Sequence, residues 1–209
     1  MSSLAIERCN LTIVGAWNPA IVTPNWLKEQ FPELITRTDY QASYIPGPSP
    51  RVRFSLEGIE IDPNNGRLRL HPIVPEISRL DLIRRLAGAI CDKLPHTPVR
   101  AVGWNFFYRL ESTERPAIFR FVDNEGQERF YAGLDLKQVP QRHVRHSFAL
   151  PECKLNIFYD VRSDLETIAF NFSHTAMRPS QIQSAIEGYQ LYFDRTATFM
   201  NRLIEKESA

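Results

Sequence analysis

The densest group of side chains capable of chemistry lies in residues 141–146, Gln-Arg-His-Val-Arg-His. Two arginines and two histidines this close together can bind a phosphate group or take part in proton transfer. In a strand, alternation would place His143 and Arg145 on one face and His146 on the other, which weakens a shared metal site. The competing interpretation is the polar beginning of a surface strand. The predicted anion-binding residues here are Arg142, His143, Arg145 and His146.

A second basic group follows a proline-rich loop and alternates along two neighbouring predicted strands. Its members are Arg51, Arg53, Arg67, Arg69 and His71. A stripe of arginines on a sheet can follow a phosphate backbone. Because the predicted strand register places acids opposite Arg67 and Arg69, nucleic acid is a possible partner but not the favoured one.

The register predicted for these two strands pairs two of the arginines with acids. A four-residue turn at residues 63–66 would place Asp62 opposite Arg67 and Glu60 opposite Arg69. Apolar pairs then fall on one face and opposite charges on the other, which supports this register. The arginines left without an evident local partner, and therefore added to the predicted anion-binding residues, are Arg51 and Arg53.

Aromatic residues suggest a third kind of site. Trp104, Phe106 and Tyr108 alternate along a predicted central strand, and Tyr189 and Phe193 lie on the apolar stripe of the last predicted helix. These five could line an apolar ligand-binding cavity between sheet and helix. The alternative is that the rings simply fill the core.

No known catalytic motif accompanies these groups. The sequence has no phosphate loop, dinucleotide fingerprint, nucleophile elbow or paired-histidine metal motif. The remaining polar residues that could point inward are Tyr108, Glu111, Asp160 and His174, and no spacing brings an acid and a base together. We therefore expect no catalytic residue, metal or cofactor, and a non-catalytic role is favoured while the question of an enzyme stays open.

The elements of the first half follow from turn and capping signals. A strand is predicted over residues 4–16, and Thr23 followed by Pro24 predicts the start of a short helix. Residues 40–50 contain three prolines and a glycine and form a predicted flexible loop. In residues 51–72 the apolar alternation changes phase beside Gly58, which predicts a β-bulge.

A second helix is predicted to begin at Ser78, with Asp81 in a capping-box position and Pro95 after its end. Residues 99–110 then form a strand that is apolar on both faces, which predicts a central strand covered on both sides. The hairpin and three strands expected next span residues 118–131, 144–150, 154–161 and 167–174. Residues 180–205 carry a continuous apolar stripe and predict one long helix lying across the sheet.

Composition limits the class of protein. The chain has 209 residues, of which 43% are hydrophobic, so one domain over residues 1–209 is expected. Its formal net charge is +1, so no overall electrostatic field attracts nucleic acid or membranes. The three cysteines are widely spaced, which argues against disulfides and zinc and favours thiols in a reducing cytoplasm. No signal peptide or membrane span is predicted. The expected fold is α+β: an antiparallel sheet of about 7–8 strands packed by a long C-terminal helix and two shorter helices, similar to helix-grip folds.

Several of these features occur in the order seen in a sporadically distributed, uncharacterised bacterial α+β family, which the first half of the chain resembles. The resemblance rests on residues 25–33, the hairpin containing Arg53, the helix of residues 78–94, and residues 99–105. The chain departs from the pattern Arg-x-Gly-x-Arg-Tyr, where it has Arg-Ala-Val-Gly-Trp-Asn. The resemblance implies a bacterial, cytoplasmic protein and no activity.

These observations favour a non-catalytic interaction or adaptor protein that acts through a protein partner or as a homo-oligomer. The first alternative is a small-ligand-binding domain that uses the aromatic cavity. The second is a binder of nucleic acid or a phosphate ligand that uses the basic strand.

Overall fold

The computed structural model describes residues 6–47, 50–110, 142–161, 166–175 and 178–205, with the backbone alone described at residues 142–144, 161, 166 and 203–205. The first half contains β1 (Ile6–Gly15), α1 (Pro24–Gln30), β2 (Gln41–Ile45), β3 (Arg51–Leu56), β4 (Ile59–Asn64), β5 (Arg67–Pro72) and α2 (Ile77–Lys93). The second half contains β6 (Val99–Arg109), β7 (Arg142–Ala149), β8 (Lys154–Val161), β9 (Glu166–Thr175), α3 (Pro179–Glu187) and α4 (Tyr189–Glu205).

All the described strands form one antiparallel sheet in the order β2-β3-β4-β5-β1-β6-β9-β8-β7. This confirms the α+β class, although the nine described strands exceed the 7–8 expected. The two halves are built alike: the first strand of each lies at the centre, later strands return from an edge to pair with it, and helical segments follow. The hairpin predicted at residues 118–131 lies outside the described residues, whereas the three later predicted strands are confirmed as β7, β8 and β9.

The helices pack on one face of the sheet, which we call the covered face. On β6 this face presents Val102, Trp104, Phe106 and Tyr108, all at most 2% exposed. The indole Nε1 of Trp104 donates to the carbonyl of Ile186 in α3 at 3.2 Å. Alternate residues of the same strand point to the opposite face, which we call the polar face.

Among the described residues, one side of β6 is fully covered, as predicted, and the other side is covered only in part. Asn105 and Phe107, which point to the polar face, are only half-buried. The small and aromatic residues on the polar face of β6 gave that side an apolar pattern in the sequence, although its middle position is an asparagine.

The predicted bulge at Gly58 is wrong, because the chain reverses there. Leu56 pairs with Ile59, so Glu57 and Gly58 form a two-residue hairpin turn between β3 and β4. Both have positive φ, 53° and 74°, as a type I′ turn requires. The chain reversal itself produces the change of phase in the apolar pattern.

The predicted register of β4 and β5 is also wrong, by two residues. Asn64 pairs with Arg67, so the turn is the two-residue Asn65-Gly66 and not residues 63–66. The Oδ1 atom of Asn64 accepts hydrogen bonds from the backbone N–H groups of Gly66 and Arg67, each at 3.0 Å. An even shift keeps every side chain on its predicted face but changes its partner across the strands.

The helix starts give one confirmation and one correction. Thr23 caps α1, since its Oγ1 accepts from the N–H of Trp26 at 3.3 Å, with Pro24 at the first helical position. Helix α2 begins at Ile77 without a side-chain cap, so the capping box predicted from Ser78 is wrong. Asp81 instead pairs with Arg84 one turn later, at 2.9 Å.

The predicted C-terminal helix is interrupted at Gly188, which ends α3 and precedes α4. A Cβ at this glycine would lie 2.7 Å from the ring of Tyr192. That ring is fixed, because it stacks on Phe172 at 4.6 Å and its hydroxyl is 2.7 Å from Nε2 of His174. The missing side chain therefore makes room for a buried tyrosine at the break between the helices.

We expect Gly188→Ala to destabilise the protein by roughly 1–3 kcal/mol, because the new methyl group overpacks a site whose neighbour cannot move. Gly66→Ala is the matched control, since its Cβ would approach no atom closer than 3.6 Å. Thermal unfolding of both variants measures the difference. Equal melting temperatures for the Gly188→Ala and Gly66→Ala variants would show that the Tyr192 ring can move aside, which would contradict this prediction.

Candidate anion-binding site

The polar face carries a straight row of asparagines across four adjacent strands. The register places Asn10 of β1 beside Asn105 of β6, then Asn171 of β9 and Asn156 of β8. Each amide donates to the next: Asn156 to Asn171 at 2.8 Å, Asn171 to Asn105 at 2.8 Å, and Asn105 to Asn10 at 2.9 Å. We call these four residues the asparagine row.

The direction of the asparagine row is fixed at its β7 end. Arg145 of β7 can only donate, and its Nη2 lies 2.8 Å from the Asn156 atom that it contacts. That atom must be the carbonyl oxygen, and every later amide then has its NH2 group directed towards β1. At the far end, Oδ1 of Asn10 accepts from Asn105 and Thr12, which leaves the Asn10 NH2 group available.

Beside this end of the row lies a cleft of about 500 Å³, which we call the polar cleft. The residues lining it include Arg8, Asn10, Thr12, Arg53, Arg69, His71, Gly103, Asn105, Phe107, Asn171 and Ser173. Gly103 forms part of the floor, where a Cβ would come within 3.2 Å of Nδ2 of Asn171. A glycine inside a central strand commonly marks a close approach by a ligand or another chain.

Two acids of β4 are paired with the arginines of β3. Nε of Arg51 donates to Oδ1 of Asp62 at 2.8 Å. Nη1 of Arg53 lies 2.8 Å from Oε1 of Glu60, in ion-pair contact without the alignment of a hydrogen bond. The prediction that Arg51 and Arg53 lack partners is therefore wrong, because the true register brings these acids within their reach.

The arginines of β5 are the ones left without a carboxylate. Among the described residues, no ion pair is formed by Arg67 or Arg69, and the Nε atoms of both are buried without a hydrogen-bond acceptor. Burial lowers the pKa of Arg69, the nearby charge of Arg67 adds to that effect, and Asp62 opposes it. Loss of hydration is therefore the main cause and nearby positive charge adds to it, and a bound anion would offset both effects.

His71 adds a titratable group to the polar cleft. Burial lowers its pKa, the neighbouring Arg53 and Arg69 act in the same direction, and Glu60 opposes them. Its Nε2 lies 3.2 Å from Oε1 of Glu60. A lowered pKa keeps the imidazole neutral at pH 7, so that the arginines supply the charge.

The other predicted anion-binding residues lie elsewhere. Arg145 is at the β7 edge, separated from β3 by six strands, and its guanidinium lies 5.3 Å from the ring centre of Phe158. His146 is on the opposite face, where its ring stacks with Phe148 at 6.5 Å. The side chains of Arg142 and His143 lie outside the described residues. The two predicted basic groups therefore do not form one site.

The five predicted ligand-binding aromatics do come together beneath α3 and α4. The Trp104 and Tyr189 rings are 5.9 Å apart, and those of Phe106 and Phe193 are 6.3 Å apart. The Tyr108 hydroxyl is 2.7 Å from Oγ1 of Thr196. The rings lie against one another, none of them lines the polar cleft, and a ligand role for them stays a prediction.

A second, less polar cleft lies near the turn between β4 and β5, and we call it the apolar groove. It has a volume of about 790 Å³, and its lining includes Val22, Tyr44, Val52, Phe54 and Pro63. Tyr44 is 67% exposed and Val52 is 50% exposed, although both strands pair normally. This surface was not predicted from the sequence. The available signal was one large apolar residue on each side of the three prolines of the predicted loop, Tyr44 before them and Val52 after them.

One further cluster combines a thiol, a phenol and an imidazole. Tyr192 lies between His174 and Cys153, and burial raises the pKa of Cys153 to about 11. Burial likewise raises the pKa values of Cys9 and Cys91, to about 12 for each. Because a thiolate is the nucleophilic form, these protonated thiols are unsuited to nucleophilic catalysis.

A comparison with models of known protein families gives no match, and a comparison with curated proteins gives no significant match. In the described part of the chain, no group of three or more His, Cys, Asp or Glu side chains could hold a metal ion. No described helix is long and apolar enough to cross a membrane. The interpretation of the polar cleft therefore rests on its own geometry.

We expect Asn171→Ala to destabilise the protein by roughly 1–3 kcal/mol, because it leaves a donor on Asn156 and an acceptor on Asn105 without partners. Asn156 is only 4% exposed, so water cannot easily replace the lost bond. Urea denaturation measures the effect, with Asn65→Ala in the exposed turn as the control. A loss no larger than in the control would mean that the asparagine row adds nothing to stability.

Proposed function

We propose that this protein is a non-catalytic binding protein that holds an anionic ligand in the polar cleft. The observation that carries this proposal is Arg69, which lines the cleft, since its buried Nε atom has no acceptor and the nearby acids belong to other arginines. Arg67, two residues earlier on β5, also has a buried Nε without an acceptor, but it lines the apolar groove. Both arginines are half-buried, and a buried N–H donor that loses water without gaining an acceptor is costly. A phosphate or carboxylate bound in the polar cleft would supply the missing acceptor at Arg69.

The distribution of charge over the sheet supports the same function. Eight arginine and lysine side chains occupy described, paired positions of the polar face, against three acids, while the whole chain has a net charge of only +1. The cations are Arg8, Arg51, Arg53, Arg67, Arg69, Arg109, Arg145 and Lys154, and the acids are Glu60, Asp62 and Asp160. The rest of the molecule is correspondingly acidic, so an anion would be drawn to this face.

We expect Arg69→Gln to weaken the binding of inorganic pyrophosphate by at least about 10-fold, since a hydrogen bond to a charged group contributes roughly 1.5–3 kcal/mol. Isothermal titration calorimetry measures the affinity. Arg85→Gln is the matched control, because Arg85 is an exposed arginine on α2 and not on the sheet. Absence of binding to the unaltered protein, or equal affinities for both variants, would contradict the proposal.

A protein contact is the second candidate, favoured by the β2 edge. Strand β2 ends the described sheet and carries no charged residue, whereas the β7 edge contains Arg145 and three further basic positions. Edge strands without charges readily pair with another strand. In a symmetric pair of β2 strands centred on Ser43, the small Ala42 would face the exposed Tyr44 of a second copy. This arrangement supports a homodimer joined through β2.

We expect Tyr44→Lys to shift such a dimer towards monomer, because a charge on each side of the two-fold axis repels its copy. Sedimentation equilibrium measures the mass. Val74→Lys is the control, as Val74 is 55% exposed but lies beyond β5. A monomeric unaltered protein at high concentration, or the same dissociation with the control, would rule out this interface.

Three further expectations stay proposals. Likeness to helix-grip folds is supported by the packing of α3 and α4 against β6. The proposal of a ligand site beneath α3 and α4 is supported by the aromatic rings that cluster there. A bacterial cytoplasmic location is supported by the protonated thiols, which suit a reducing compartment.

A further inference from the structure

The polar cleft is long compared with a single anion. Its lining reaches from Arg53 on β3 to Asn171 and Ser173 on β9, across six neighbouring strands. At the usual spacing between strands, the backbones of β3 and β9 are about 24 Å apart. A single phosphate group would fill a small part of the cleft, so the shape favours a ligand that is itself an extended chain.

The two ends of the cleft differ in charge. The end formed by β3, β5 and β1 carries the cationic side chains of Arg53, Arg69 and Arg8. The end formed by β6 and β9 is polar but neutral, with Gly103, Asn105 and Asn171. An acidic peptide would need cations along its whole length. A nucleotide chain, with charged phosphates and neutral polar bases, fits both ends.

A stacked pair of an arginine and an aromatic ring lies at the rim. Phe107 on β6 is half-buried on the polar face, and the guanidinium of Arg8 lies over its ring, with the guanidinium carbon 4.5 Å from the ring centre. A base would stack on the outer side of this guanidinium, which the Phe107 ring supports. Aromatic rings and arginine planes on a sheet surface are the usual stacking partners of unpaired bases. Bases in a duplex are already stacked and paired, so this platform suits a single strand.

The asparagine row provides hydrogen-bonding groups for base edges. Asn171 uses one N–H and one oxygen lone pair within the row, and an amide has two of each. Asn105 also donates to the carbonyl of Gly103 at 3.4 Å, so that it retains only an oxygen lone pair. The remaining donors and acceptors, together with the NH2 group of Asn10, lie along the cleft. Neutral groups that both donate and accept match the edges of bases and not a row of carboxylates.

We propose that the ligand of the polar cleft is single-stranded nucleic acid, with its phosphates on the arginines of β3 and β5 and a base on Phe107 and Arg8. The span corresponds to about four nucleotides, within the range of sheet-based single-strand binders. This inference rests on the proposed function, since it assigns a substrate class to the same anion-binding cleft.

The test uses fluorescence anisotropy of the full-length protein with labelled strands of about 12 nucleotides, a few times the predicted site size. The probes are oligothymidylate, an abasic strand with the same phosphates, and a duplex of the same length. Polyglutamate serves as a competitor. We expect oligothymidylate to bind most tightly, and polyglutamate to displace it weakly.

Substitutions separate the base contact from the phosphate contact. Phe107→Leu should weaken oligothymidylate binding by about 5- to 100-fold and leave the abasic strand unchanged, because only the stacked base is lost. Phe107→Tyr should retain binding, which guards against a folding defect. Arg69→Gln should weaken the binding of both oligothymidylate and the abasic strand. Phe148→Leu is the matched control, since Phe148 is 43% exposed on the opposite side of the sheet.

The outcomes distinguish this inference from the function on which it rests. Equal binding of the abasic strand and oligothymidylate, or no effect of Phe107→Leu, would overturn the nucleic-acid assignment and leave an anion site. Tighter binding of polyglutamate would identify an acidic protein segment instead. Failure of every anion to bind would overturn both proposals.

Discussion

The packing of helices against one face of the sheet is the constraint on which the rest of this structure depends. Because successive strand residues point to opposite faces, each strand must place its apolar residues towards α2, α3 and α4. In β6 this requirement selects Trp104, Phe106 and Tyr108 as a continuous buried line. The interruption at Gly188 belongs to the same packing, since it makes room for the Tyr192 ring against Phe172.

The polar face is organised by hydrogen bonds and ion pairs rather than by apolar burial. At the β6–β8 side, the amides of the asparagine row satisfy one another across strands, in a direction that Arg145 fixes. At the β3–β5 side, two acids form ion pairs with the arginines of β3, although Nε of Arg53 has no acceptor, and the arginines of β5 are left without a carboxylate. The candidate site lies where these two arrangements meet, and its charge follows from this imbalance.

Local features of this fold are readable from the sequence, and long-range ones are not. Alternation around Trp104 predicts the central strand, and Thr23 with Pro24 predicts the start of α1, because both signals act within a few residues. The register of β4 and β5 was missed because a two-residue shift preserves the face of every side chain and changes only its partner. The break at Gly188 was missed because the apolar stripe continues across it.

The candidate site was even harder to predict from the sequence than the fold, because its contacts join residues far apart in the chain. The asparagine row depends on three strand pairings at once, so Asn10, Asn105, Asn156 and Asn171 give no sign of their contact when read along the chain. The one available signal was an asparagine within each of four predicted strands. The charge balance of the cleft depends in turn on the register of β4 and β5. For that reason the sequence identified the arginines but assigned the unpaired ones to β3 instead of β5.

The central claim, that the unpaired Arg69 of β5 binds an anion in the polar cleft, is tested most directly by nuclear magnetic resonance of the arginine Nε–Hε groups. Titration with pyrophosphate should shift the signal of Arg69 and slow the exchange of its Hε proton with water, because its Nε–H gains an acceptor. The signal of Arg84, which is already paired with Asp81 and Glu187, should not move. Equal small shifts of Arg69 and Arg84, or no shift at Arg69, would contradict the account.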